Sequence, residues 1–143
     1  MTEATFEKIT ISDKLLYGPP KLLLCGFSTG AQSKFHAVLK MVGLSNISKI
    51  WVSKDQSHIV LSELLKLPDG EGEGESSQLP RAIIVSGIME KELIGLMRVY
   101  KKTGMKNTLW ATLTPISENW SIQQLLAELL SERKAMQRKK KKT

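Results

Sequence analysis

The feature that most narrows the fold is a repeat. An apolar run, Leu22-Leu23-Leu24-Cys25, meets Gly26 and leads into helix-spaced apolar positions, Ala31, Phe35, Val38, Leu39 and Val42, that stop at Gly43. The pattern returns as Ile83-Ile84-Val85-Ser86, Gly87 and the stripe Met89, Leu93, Leu96 and Tyr100, stopping at Gly104. Seventeen residues separate the two glycines in each copy. Such periods read as strand, turn and helix, with glycine at the helix end. Ile47 to Val52 and then Leu109-Trp110-Ala111 supply a second strand to each copy, with Trp51 and Trp110 in corresponding places after a two-residue contraction. Each copy closes on a leucine-rich helix, Ile59 to Leu67 and Ile122 to about Met136. The spacing predicts an internal strand-helix-strand-helix duplication.

Alternating strands and helices favour parallel strands with helices packed on the faces. The fold expected is α/β: a small four-stranded, mainly parallel sheet with helices on both faces. A ferredoxin-like fold is the alternative, but it joins its second and third strands by a hairpin, and here a helix and a long loop intervene. With 143 residues and 41% hydrophobic content, one core is expected. It spans residues 21–136, in halves 21–67 and 81–136. Residues 68–80 contain a Gly-Glu alternation at 70–75 and carry no apolar period, which predicts a flexible acidic loop that a short Gly/Ser linker can replace. Residues 1–20 are expected to be poorly ordered, and residues 137–143 form a basic tail.

The last helix is the better specified of the closing pair. Ser121 and Gln124 have capping-box spacing and Trp120 and Leu125 that of a hydrophobic staple. Ile122, Leu125, Leu126, Leu129 and Leu130 make one apolar stripe behind them.

The formal charge of +7 is localised. Arg133, Lys134, Arg138, Lys139, Lys140, Lys141 and Lys142 are seven of the 21 basic residues, and all 14 acidic residues precede them. The body is neutral, so a polyanion such as RNA would be held by Arg138, Lys139, Lys140, Lys141 and Lys142. No apolar run reaches the roughly 20 residues of a membrane helix, and the start Met1-Thr2-Glu3-Ala4 does not read as a signal peptide. One cysteine forms no internal disulfide and no multi-cysteine metal site. An intracellular, soluble chain is expected.

Candidate chemistry is sparse. Gly26-Phe27-Ser28-Thr29-Gly30 stands between a strand and a helix, where anions bind free N–H groups. Ser28, Thr29 and Gly30 are the candidate anion ligands, although the loop matches no phosphate-binding fingerprint and helix capping explains the hydroxyls as well. Cys25 precedes the same turn, with His36 and His58 the only imidazoles available to activate it; a small buried hydrophobe is the plainer reading. The three tryptophans read as packing residues rather than as a stacking platform. No catalytic set and no metal or cofactor site emerges.

The stretch from Ala111 through Thr114-Pro115, Trp120 and Leu125-Leu126 to Leu129 resembles the C-terminal signature of a bacterial and plant family catalogued as domain of unknown function 3783. Leu24-Cys25-Gly26-Phe27 and the acidic helix start between Gly87 and Leu93 are similar as well, so the resemblance runs over roughly residues 21–136. It implies a fold and carries no activity, cofactor or site residue. Plant members are similar to organelle-targeted proteins, which sets the chloroplast stroma beside the cytosol as an address. The function expected is a non-catalytic binding or assembly module with an unidentified protein partner, the alternative being RNA or polyanion association through the tail. Oligomeric state is left open.

Overall fold

The computed structural model describes residues 14–142. One sheet contains β1 (Lys21–Cys25), β2 (Ser48–Val52), β3 (Ala82–Ser86) and β4 (Leu109–Thr112). Helix α1 (Thr29–Met41) joins the first two strands, and the single-turn α2 (Leu61–Leu64) follows β2. Helix α3 (Glu90–Lys102) joins β3 to β4, and α4 (Ile122–Lys142) closes the chain. The strand order is β2-β1-β3-β4. Both outer pairings are parallel and the central β1–β3 pairing is antiparallel, so the sheet is mixed, with parallel pairing in the majority. No hairpin joins β2 to β3, which removes the ferredoxin-like alternative.

Successive strand residues point to opposite faces, and both faces are covered. Leu23, Cys25, Ile50, Val52, Ala82 and Ile84 pack with Leu61 and Leu64 of α2 and Ile122, Leu125 and Leu126 of α4. Leu22, Leu24, Trp51, Ile83 and Val85 pack with Phe35, Val38 and Leu39 of α1 and Leu96 and Tyr100 of α3. Burial on both sides is why β1 and β3 read as unbroken apolar runs instead of alternating ones.

The halves meet about one rung. Leu23 lies opposite Ile84, flanked by Leu22 opposite Val85 and Leu24 opposite Ile83. A Cβ on Gly26 would collide with backbone of Leu79 and Arg81, and one on Gly87 with backbone of Gly18 and Pro19. Each turn is thus backed by the segment that leads into the other half's first strand. The tryptophans do not correspond as expected. Trp51 pairs with Leu24, whereas Trp110 pairs with Ile83, so Trp110 takes the rung equivalent to Lys49. The two-residue contraction moves it two rungs and so leaves it on the same face, because the side-chain period is two.

Three boundaries differ from the sequence reading. The first closing helix is one turn, its Leu65 and Leu67 carbonyls accepting from Lys21 Nζ at 2.7 and 2.8 Å. Helix α4 passes Met136 and reaches Lys142, since lysine and arginine are good helix formers and no Gly or Pro interrupts them. Its start is as expected: Ser121 Oγ accepts from the Gln124 N–H at 3.2 Å. Residues 1–13, expected to be poorly ordered, lie outside the described residues. Residues 14–17 are instead tied down, with Leu16 N–H donating to Ile88 O, Gly87 N–H to Tyr17 O and Glu90 N–H to Lys14 O.

The acidic segment is the largest correction. It is a cover for the open edge of β2. Lys49 N–H donates to Asp69 Oδ1 at 2.9 Å. Gly70 N–H donates to Lys49 O and Trp51 N–H to Glu71 O, both at 2.8 Å. Gln32, buried on α1, fixes the far side by accepting from Gly74 N–H at 2.8 Å and donating to Glu75 O at 2.9 Å. The segment lacks an apolar period because it binds through backbone groups, and its glycines permit the approach: Gly72 has φ +79° and no room for a Cβ beside Trp51 O.

Replacing residues 69–77 by a Gly/Ser linker should therefore lower stability by at least about 2 kcal/mol, because buried Lys49 and Trp51 amides lose partners worth roughly 1–3 kcal/mol each. Gly72→Ala should cost at least about 1 kcal/mol from backbone conformation alone. Urea midpoints unchanged from the parent in both variants would mean that the segment is a free loop.

Candidate functional site

The possible nucleophile and its bases are kept apart. Cys25 is fully buried in the cluster under α2 and α4, and burial pushes its thiol up to about 12. His36 lies on the opposite face, its ring 5.5 Å from the Trp51 ring and its Nε2 3.0 Å from Glu73 Oε1. His58 is exposed. Cys25 is core packing, and among the described residues no group of three or more His, Cys, Asp or Glu is placed to hold a metal.

The turn before α1 is engaged by the chain itself. Ser28 Oγ accepts from the Ala31 N–H at 3.2 Å and caps the helix. Thr29 N–H donates to Ser76 Oγ at 3.3 Å, which ties the acidic segment to the turn. Ser28 and Gly30 line a cleft of about 290 Å³ with Lys34, Arg81 and Lys106. The Arg81 side chain joins the two halves: Nε donates to Gly26 O at 2.9 Å, Nη1 to Tyr100 Oη at 3.0 Å, and the guanidinium stands 4.2 Å over the Phe27 ring. Arg138, Lys139, Lys140, Lys141 and Lys142 fall on the last turns of α4.

The other sheet edge differs from β2. Leu109 N–H donates to Arg81 O and Leu113 N–H to Val85 O, so the odd-numbered amides of β4 face β3 and those of Trp110 and Thr112 face outward. No loop among the described residues hydrogen-bonds to these outward groups. The edge forms the floor of a groove between α3 and the far end of α4. Met97, Trp110, Leu129, Arg133 and Met136 line a space of about 590 Å³. It continues along α3 past Arg98, Lys101 and Met105. Trp110 is half-buried, its ring edge-on to Tyr100 at 5.6 Å, while Met97 and Met136 are 39% and 64% exposed. No ion pair among the described residues engages Arg98, Lys101 or Arg133.

Sequence patterning places Leu129 on the apolar stripe of the last helix, Arg133 in the basic run and Trp110 in the core, and points to none of Met97, Arg98, Lys101 and Met105. The available signal was the rung of Trp110: two residues earlier than Trp51, it sits nearer the mouth of the strand than its counterpart.

Residues 81–136 match the model of a family described as a domain of unknown function, DUF3783. Over these residues the chain is similar to that family. The DUF3783 segment holds β3, α3, β4 and most of α4, and therefore both walls and the floor of the groove. The acidic cover and β2 lie outside it: the match begins at residue 81, short of the residues 21–136 over which the sequence resemblance runs. No curated protein and no solved structure matches the chain. Among the described residues no helix is long and apolar enough to cross a membrane.

The Cys25 environment sets a pH dependence. The folded state holds the thiol proton more tightly than the unfolded chain, whose thiol titrates near 8.5. The stabilisation is complete below that pH and is lost as the pH rises toward about 12, by up to about 1.4 kcal/mol per unit. Cys25→Ala should flatten that slope in alkaline urea melts, and the native thiol should resist alkylation at pH 8. Rapid alkylation of the native protein would place Cys25 at the surface.

Proposed function

We propose that this chain is a non-catalytic binding module whose docking site is the groove along the open edge of β4. One observation carries the reading: of the two sheet edges, β2 is closed by the chain's own segment 69–72, while β4 presents outward amides at Trp110 and Thr112 on the floor of an apolar groove. An uncovered edge strand is a template for pairing with another chain. Exposed methionines suit such a surface because their side chains adapt to different partners. The DUF3783 match adds support, since the groove falls inside the family segment.

Polyanion association through Arg138, Lys139, Lys140, Lys141 and Lys142 is the second reading. The course of α4 favours it, because a helix continuing to Lys142 carries the basic run on from Arg133 at the groove.

Peptides selected from a displayed random twelve-residue library should shift the backbone amide resonances of Trp110 and Thr112 and the methyl signals of Met97 and Met136. They should bind a chain truncated after Gln137 as tightly as the full chain. Shifts confined to other surfaces would contradict the groove. Binding of a mixed RNA pool that vanishes with the truncation, with a salt slope near −3.5 from roughly −0.7 for each of five phosphate contacts, would favour the tail.

A further inference from the structure

Resting on the reading of the β4 groove as a docking site, the geometry points to one kind of occupant: we propose that it takes an extended acidic peptide, which joins the sheet as a fifth strand beside β4. The chain's other edge shows that the outward groups of an edge strand here are held by an acidic segment, there through a series of tight turns. There Asp69-Gly70-Glu71-Gly72 lies against β2, Asp69 accepting from Lys49 N–H, Gly70 donating to Lys49 O and Glu71 O accepting from Trp51 N–H. The rungs that correspond to Lys49 and Trp51 on the other side are Trp110 and Thr112, because Ile83 and Val85 occupy the places of Leu22 and Leu24. Both edges thus offer the same outward groups, and one of them is filled by an acidic segment folded into consecutive turns.

Charge selects the occupant of the other. Arg98, Lys101 and Arg133 line the groove, against the single carboxylate Glu132. A second copy pairing β4 to β4 would bring this cationic set onto its own counterpart, which like-charge repulsion opposes. An acidic strand meets it with complementary charge. Alternate side chains of an added strand point to opposite faces, toward Met97 and α3 on one side and toward Leu129, Met136 and α4 on the other. Main-chain hydrogen bonds then provide affinity, and the flanking side chains provide selectivity. A nucleic acid could use the cations and accept from an outward N–H, but it has no peptide backbone to continue the sheet's ladder of paired N–H and C=O groups.

The test uses the full chain and fluorescein-labelled, end-blocked twelve-residue peptides of alternating Val-Glu, Val-Gln and Val-Lys at micromolar concentration, with mixed-sequence single-stranded RNA as a fourth probe. Anisotropy should show Val-Glu binding at least tenfold tighter than Val-Gln, with Val-Lys weakest, and the advantage shrinking as salt rises. Arg98→Glu with Lys101→Glu should erase the advantage of Val-Glu over Val-Gln. Thr112→Pro removes only an outward N–H from an edge strand, a place where proline is tolerated, and should weaken Val-Glu at least tenfold. Methylating alternate backbone nitrogens of the Val-Glu peptide tests the same pairing on the wild-type protein and should weaken it equally. Val-Gln binding as tightly as Val-Glu, with both sensitive to Thr112→Pro, would overturn the acidic partner and leave the groove standing. Peptide binding indifferent to Thr112→Pro and to backbone methylation would overturn strand addition. RNA binding that survives Thr112→Pro but falls with the charge reversals, in the absence of peptide binding, would replace the peptide with a polyanion.

Discussion

The antiparallel contact between β1 and β3 is the interaction on which the rest of the molecule depends. Each half alone offers two parallel strands and their helices, with β1 or β3 left open on one side. Pairing them about the Leu23–Ile84 rung buries β3 and all of β1 but Lys21, and creates the two continuous apolar faces that the helices cover. It also decides which strands are left outside. With β1 and β3 in the centre, β2 and β4 become the edges, and an edge strand carries unpaired backbone groups that must be covered, blunted or used.

The two edges meet that requirement differently. At β2, an acidic segment is tied down by Gln32 and by the Lys49 and Trp51 backbone, which closes the edge from within the chain. At β4, the flanking helices leave a groove with an apolar floor and basic margins. The contrast between like positions in the two halves, more than any single side chain, is what marks β4. The catalytic candidates carry no such mark: Cys25 is locked in the core, His36 serves Glu73 and Trp51 packing, and Ser28 caps a helix.

Much of the fold was legible because apolar period and glycine placement report directly on burial. The strand runs at Leu22 and Ile83, the turn glycines Gly26 and Gly87, and the capped start of α4 at Ser121 are of this kind. What the pattern could not report was pairing through the backbone. Hydrogen bonds from Lys49 and Trp51 to residues 69–71 leave no trace in hydropathy, so a fixed edge cover read as a loose acidic loop. The antiparallel sense of the central pair was hidden for a related reason: buried parallel and antiparallel strands have the same composition. The groove was missed because it depends on register. Trp110 shares a face with Trp51 and has the same apolar character, yet a displacement of two rungs along its strand leaves it half-buried where Trp51 is buried.

Residue-resolved native-state hydrogen exchange probes the difference between the edges most directly, since an amide is protected when it has a partner and a stable element around it. The Lys49 and Trp51 amides should exchange as slowly as those of Leu109 and Ala111, whereas the Trp110 and Thr112 amides, in the same strand as the latter pair, should exchange orders of magnitude faster. Protection of Trp110 and Thr112 equal to that of Lys49 and Trp51 would contradict an open β4 edge and remove the basis for a docking site there.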